Sequence, residues 1–474
     1  MFKNLLKANI YYLISSVFGK GLIFFLLPII TRLLTPAEFG IIDYILIIAA
    51  FVYLVAGIET RQGVARFLPE TTEPDEKINI ISTQLLFVVG CYMIFILISV
   101  VYYWLFSQQE ISFLLYISAV AAITMNGIWQ NIHSIFRWDF RYKEYTFLEI
   151  LYFLLVFGSA IIFIRQFHFS SEGYFLGMLF GAFMTSIIGI YLQRHLFRFE
   201  FNQKTLNSLI TYSGPLVFAA LAAIASSFMD RIFIKKMMTL NDLGIYGVGF
   251  RVASVVLILI VAFQSALTPL VFKHYKDPST PKKLAFLSKV FIYLFIGICF
   301  FFYLYSDYLV AFFAPASYSE ASQIVPLIVM SIVFFKIYIF APGLSIAKKT
   351  NIILYIQLGA LIINGLLNYY LIPLYGIKGA ATATLLASFI LFCVNLYFSQ
   401  QYYNIPYDSR RLLGYLFIMS IIVAVLHYLM QKNLMSFALQ SLSLVVIMFF
   451  SAFLIFKQTE LIEIKKKIFT LIKK

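Results

Sequence analysis

Lys20 stands at the middle of an apolar stretch, in the run Ser15-Ser16-Val17-Phe18-Gly19-Lys20-Gly21, and Arg251 stands about eight residues into another, with Gly247 and Ser254 on its own helical face. Where such a stretch crosses a bilayer, a cation at its centre costs about 2.5–3.5 kcal/mol unless it meets an aqueous cavity or a partner, so both are functional candidates by default. The chemistry they offer is electrostatic capture of an anion. Snorkelling would carry the Lys20 ammonium roughly 15 Å at 1.5 Å per residue, beyond the reach of its stem. The small residues around it leave that ammonium accessible from a lumen. Arg251 lies nearer one surface and has Asp230 and Asp242 as alternative partners. Lys336, some six residues from the end of its stretch, can equally snorkel, and Arg61 beside Glu59 can guard an entrance or form an interfacial pair.

Polar stripes accompany these cations. Asn126, Gln130 and His133 recur at i, i+4 and i+7, and Gln357, Asn364 and Asn368 share a face of another helix. Such stripes either line a hydrophilic cavity or hydrogen-bond between helices. A lumen with fixed cations and amides suits an anionic, hydrophilic ligand. The 32 tyrosines supply flat amphipathic rings able to stack on sugars, although most must serve as core and interface anchors. Glu59, Glu149, Asp43 and Asp230 all fall near the ends of apolar stretches, so no coupling-ion site can be read.

Enzyme signatures are missing. The chain has no GxxxxGK[ST], HExxH or GxSxG motif, and His133, His168, His195, His274 and His427 lack metal-ligand spacing. The reading is a protein without covalent chemistry, cofactor or metal. Cys91, Cys299 and Cys393 are widely spaced inside apolar stretches and suit packing.

The elements that must position these residues are membrane helices. At 62% hydrophobic and 12% charged, with mean hydropathy +0.91, the 474-residue chain belongs in a bilayer. About fourteen stretches reach spanning length: 10–30, 41–59, 79–103, 111–136, 147–164, 173–192, 209–229, 243–268, 288–304, 323–341, 352–372, 378–399, 412–430 and 436–456. The first lacks a cleavage pattern and reads as a membrane helix, not a signal peptide. Loops are short, the longest near 60–78 and 305–322, with no room for a soluble catalytic domain. Twenty-six Lys and Arg residues fall in loops on one side, both tails included, against seven on the other (Arg32, Arg165, Arg231, Lys235, Lys236, Lys378 and Lys432). By the positive-inside rule both termini are cytoplasmic. The net charge of +15 is thereby explained without nucleic acid.

A repeat organises these helices. Thr31–Tyr44 reads TRLLTPAEFGIIDY and Lys235–Val248 reads KKMMTLNDLGIYGV, with Thr35, Gly40 and Ile41 recurring as Thr239, Gly244 and Ile245 at an offset of 204. That offset carries span one onto span seven. Six spans is an even number, so the lobes are parallel, related by an axis along the membrane normal. The expected fold is therefore all-α and polytopic, with two parallel six-helix lobes over 1–204 and 205–404. Two additional helices and a basic tail fill 405–474. Pro28 and Thr35-Pro36 sit near the outer end of span one, Pro215 is read as entering span seven, and Pro269 as ending span eight.

Three segments carry a family resemblance. SSVFGKGLIFFLLPIITRLLTPAEFG resembles the opening of polysaccharide-biosynthesis flippases, with their LL-x-P-x-E-F-G turn. SSFMDRIFIKKMMTLNDLGIYGVGFRVASVV resembles their midpoint, and LNYYLIPLYGIKGAATATLLASF, from Leu367 to Phe389, is similar to their IP-x-YG-x-x-GAA-x-AT signature. The small residues Gly379, Ala380, Ala381 and Ala383 suit close helix packing. This Wzx-like family shares a superfamily with the multidrug and toxin extruders and the lipid II flippase. The resemblance implies alternating access by two lobes in the bacterial cytoplasmic membrane. It implies as substrate an undecaprenyl-diphosphate-linked oligosaccharide for O-antigen, capsule or exopolysaccharide, with a polymerase and a chain-length regulator as partners. Lumenal cations would meet the diphosphate, and Lys20 and Arg251 are chosen for that role by position. Proton or sodium coupling stays open. The alternatives are a cation-coupled drug extruder and, from a different class, a membrane polymerase or glycosyltransferase.

Overall fold

The computed structural model describes residues 26–107, 112–347, 349–408 and 436–456, with isolated positions among 11–21 and 414–432 and at 460. Lys20 lies outside the described residues. Among the described residues every regular element is helical, and ten helices are long and apolar enough to cross a membrane, or eleven if one bent pair counts as a span. The expected fourteen are not all counted there, since stretch 10–30 lies mostly, and stretch 412–430 partly, outside the description. The apolar exterior agrees with a bilayer. Met93, Ile94, Leu97 and Ile98 stand exposed in succession on one helix, a patch that water would penalise and lipid does not. By contacts the chain divides into two compact units, residues 1–248 with 311–319 and 372–377, and residues 249–310, 320–371 and 378–474.

The N-terminal unit contains α1 (Pro36–Ala56), α2 (Thr60–Phe67), α3 (Pro74–Tyr102), α4 (Phe113–Trp138), α5 (Tyr142–Gln166), α6 (Ser171–Gln193), α7 (Gln203–Met237) and the start of α8 (Leu240–Ser254). The repeat is a helix start used twice. At α1 the Thr35 hydroxyl accepts from Glu38 N at 3.3 Å while the Glu38 carboxylate accepts from Thr35 N at 2.7 Å. At α8 Thr239 accepts from Asp242 N at 3.2 Å, and Asp242 accepts from Thr239 N at 3.0 Å. Both are reciprocal capping boxes that satisfy otherwise orphaned N–H groups. The two copies also touch. A Cβ on Gly40 would strike the Leu240 carbonyl and Gly244 N, and one on Gly244 would strike the Pro36 carbonyl and Gly40 N. Every partner is displaced by the same 204 positions, so the crossing is two-fold in its contacts.

Within this unit α5 and α6 lie close because Gly173, Gly177 and Gly181, spaced by four, face Ile164, Ala160 and Val156. A core of Trp129, Ile132, Phe136, Leu148 and Ala182 binds α4, α5 and α6. The segment before α7 is strapped to α3, with Arg198 N donating to Ser82 Oγ at 2.9 Å and Asn202 N to Thr83 Oγ1 at 3.1 Å. Pro215 does not open its helix. It lies inside α7, which begins at Gln203, where Asn202 caps Lys204 and Thr205 N–H groups.

The C-terminal unit holds the end of α8, then α9 (Val256–His274), α10 (Thr280–Phe313) as far as Val310, α11 (Val325–Lys336), α12 (Gly343–Ile346), α13 (Thr350–Tyr402) apart from Ile372–Ile377, and α14 (Phe437–Ile455). Pro269 does not end its helix, since α9 continues to His274. The IP-x-YG motif breaks α13. Gly376 takes φ +59°, a left-handed conformation open to glycine at little cost, just after Pro373. Beyond it Ala380, Ala381 and Ala383 are fully buried. The C-terminal helices dock on α10, with Tyr305 and Ser441 hydroxyls 2.7 Å apart and Lys289 Nζ 2.9 Å from Glu460. Cys91, Cys299 and Cys393 are free thiols.

Candidate functional site

The i, i+4, i+7 spacing of Asn126, Gln130 and His133 turns three polar side chains to one side of α4, and each reaches a different neighbour. Asn126 Nδ2 donates to the Tyr53 hydroxyl of α1 at 2.8 Å, and its Oδ1 accepts from Tyr152 of α5 at 2.9 Å. Gln130 Oε1 accepts from Arg61 Nη1 of α2 at 2.8 Å, and Arg61 Nη2 lies 3.7 Å from Glu59. His133 Nε2 lies 2.9 Å from the Tyr145 carbonyl, and its Nδ1 lies 3.3 Å from Glu149 Oε2. Next to Gln130 in sequence, Asn131 Oδ1 accepts from Gln84 Nε2 of α3 at 2.6 Å. This is a polar ladder inside an apolar unit, and every rung joins two helices.

Alongside it runs a column of rings that the spacing alone does not announce. Tyr152, Trp129, His133 and Tyr145 stack in sequence, with centroid separations of 5.5, 4.9 and 4.0 Å and interplanar angles of 18, 27 and 25°. Trp129 and His133 are one turn apart on α4, and Tyr145 and Tyr152 two turns apart on α5. The signal is present as two helical spacings, but only packing shows that they interleave.

Sequence reasoning also misses a second buried ionic group. Arg231 counts as a loop cation in the sequence, yet it is buried with Asp43 and Asp230, its Nε 3.5 Å from Asp43 Oδ2 and its guanidinium over the Phe228 ring at 5.3 Å. Asp230 accepts a short hydrogen bond from Tyr246 and another from Arg231 N. Asp43 is about one turn from Gly40 on α1, and Asp230 and Arg231 lie on α7.

The remaining candidates lie apart. Arg251 is half-buried near the end of α8, where Ser254 Oγ donates to its carbonyl at 2.7 Å. Of its alternative partners, Asp242 caps α8 and Asp230 holds Tyr246. Lys336 closes α11 with its ammonium 5.0 Å from the Phe335 ring. In the C-terminal unit Asn368 Nδ2 donates to Asn364 Oδ1 at 3.1 Å, and Asn364 Nδ2 to Thr384 at 3.4 Å. Asn368 Oδ1 is buried without a partner among the described residues, and Gln357 is only partly covered. The same unit holds a cavity of about 720 Å³ lined by Ile292, Phe340, Phe392, Leu396, Gln400 and Asn404. Among the described residues no group of three His, Cys, Asp or Glu is placed to hold a metal.

The chain is 26% identical over 419 residues to an uncharacterized membrane protein of Methanocaldococcus jannaschii, covering 83% of this chain and 97% of that one. It is 21% identical to the capsular polysaccharide biosynthesis protein CapF of Staphylococcus aureus, covering 82% and 97%. Its fold is similar to that of the lipid II flippase MurJ in an inward closed conformation, with TM-score 0.67 and 13% identity over 94% of this chain and 98% of that one. It is also similar to a point mutant of the Vibrio cholerae MATE transporter VcmN, with TM-score 0.55 and 17% identity over 84% and 96%. Residues 29–323 match the model of a family described as polysaccharide biosynthesis protein, and with that match across more than half its length this multi-pass membrane chain belongs to the polysaccharide biosynthesis protein family.

Proposed function

We propose that the chain is a flippase that moves undecaprenyl-diphosphate-linked oligosaccharide repeat units from the cytoplasmic to the outer leaflet of a bacterial cytoplasmic membrane. The observation that carries this reading is the ladder of Arg61, Gln130, Asn126 and His133 inside an otherwise apolar unit of a polysaccharide-biosynthesis protein. Amides, tyrosines and a guanidinium suit sugars and diphosphate. The name of the Staphylococcus aureus relative makes capsule the first polysaccharide to examine. Two lobes over 1–204 and 205–404 would alternate access, both termini would be cytoplasmic, and a polymerase and chain-length regulator would receive the product. Lys20, Arg61, Arg251 and Lys336 are assigned to the diphosphate, and Asn364, Asn368 and Gln357 to the sugars.

A strain lacking the protein tests this assignment. Complete repeat units held on the inner leaflet mean lost flipping, whereas single units on the outer leaflet mean lost polymerisation and a polymerase instead. Lys20→Ala and Arg251→Ala should abolish surface polysaccharide at normal protein level, and unchanged polymer in the double variant removes those residues from the role. The likeness to MATE folds favours one second reading, a cation-coupled extruder of drugs, which dye efflux from expressing cells would support.

A further inference from the structure

We propose that His133 and Glu149 form a proton-binding site that loads and unloads during the transport cycle, and this inference rests on the flippase reading. The Tyr145 carbonyl can only accept, so His133 Nε2, 2.9 Å away, carries hydrogen. The other ring nitrogen then faces Glu149 Oε2 at 3.3 Å. Without a further proton, a lone pair faces a carboxylate and the pair carries one net negative charge inside the unit. With one proton, on either atom, the pair is neutral: imidazolium with carboxylate, or imidazole with carboxylic acid. The site therefore holds a single exchangeable proton, taken from water and returned to it.

The surroundings suit that task. His133 stacks on Trp129 and on Tyr145, which hold the ring in place beside Glu149. Arg137 acts on His133 through space, and the other nearby charges have partners of their own. On α4, Arg137 lies over Trp138 at 5.0 Å, and Asp139, just past its end, pairs with Lys77 of α3 at 3.4 Å. At the start of α5, Arg141 pairs with Glu144 at 3.1 Å, and on α2 Arg61 binds Gln130. Tyr152 of α5 binds Asn126, and from α6 Gln193 reaches the Ile132 carbonyl at 3.3 Å. Among the described residues Glu149 makes its ion pair with His133. The carboxyl is also the port, with 23% of its side chain exposed against 8% for the imidazole. His133 lies five residues before the end of α4, roughly 8 Å of helix from the side bearing Arg137, Asp139 and Arg141. Proton loss would set like lone pairs against each other across α4 and α5, which ties occupancy to the spacing of two helices.

Infrared titration of the purified full-length protein reads the site without any substrate. Wild type should show a titrating carboxyl band that Glu149→Gln removes and whose midpoint His133→Asn moves by about one pH unit or more. In cells, delivery of lipid-linked repeat units to the outer leaflet should fall when an ionophore collapses the pH gradient, and Glu149→Gln should lose that response. Should Glu149→Gln fail to fold, the His133→Asn titration alone decides, and an unmoved midpoint overturns the site. A spectrum unchanged by Glu149→Gln, or wild-type delivery indifferent to the gradient, also overturns it. Failure of the wild type to deliver repeat units at all overturns the flippase reading instead.

Discussion

The stripes on α4 and α13 look alike as sequence and differ in structure. Asn126, Gln130 and His133 each bond to another helix, and the ladder they build carries a guanidinium, two carboxyls and four stacked rings. Asn364 and Asn368 bond to one another and, at 3.4 Å, to Thr384, leaving one buried carbonyl oxygen without a partner among the described residues. The difference teaches that spacing places polar groups on a face, whereas the opposite helix decides their use. A bonded ladder fixes the mutual position of helices. A half-satisfied pair leaves an acceptor available, which is costly unless something fills it.

Asn126→Leu should break the comparison hardest. It deprives Tyr53 and Tyr152 of their shared partner, two interhelical bonds at once, and should cost about 2 kcal/mol on the scale measured for hydrogen bonds in membranes. Thermal unfolding in detergent reads this as the largest drop in Tm, accompanied by reduced surface polysaccharide. Tyr152→Phe removes one bond and keeps the ring stacked on Trp129, so it should cost about 1 kcal/mol or less. Asn368→Leu should cost still less, about 0.5 kcal/mol, because removing the amide also removes the unpartnered oxygen. If Asn368→Leu unfolds the protein as readily as Asn126→Leu, the two stripes are equivalent and the distinction fails.

Much of this is legible in the chain. Apolar lengths locate the helices, the TPAEFG and TLNDLG boxes locate two helix starts, and the IP-x-YG motif locates the break at Gly376. The mutual contact of Gly40 and Gly244 is not legible, because a capping motif predicts a turn and says nothing of its neighbour. Arg231 is misplaced by the sequence for a related reason. Counting cations by loop assumes that a residue near a span end faces water, yet Asp43 and Asp230 hold this one inside the unit. Pro215 and Pro269 show a similar limit, since a proline in a membrane helix is tolerated wherever neighbours satisfy the freed carbonyl. Of the candidate site, the stripe on α4 is visible as spacing. Glu149 reads as peripheral because it lies near a span end, whereas the fold brings it to within 3.3 Å of His133.

Gln357 supplies the smallest and sharpest test. Spacing groups it with Asn364 and Asn368 on one helical face, but it is only partly covered, whereas Asn368 is fully buried. If burial rather than spacing decides a polar group's contribution, Gln357→Ala should change stability by less than about 0.5 kcal/mol, the range of ordinary surface substitutions. Its stability effect should therefore fall below that of Asn368→Leu in the same unfolding series. A ligand-contacting Gln357 would separate from this by its second readout: surface polysaccharide would fall while Tm held. Unchanged polymer together with unchanged Tm removes Gln357 from the binding face and leaves the stripe on α13 as a pair, which deepens its contrast with the three-rung ladder on α4.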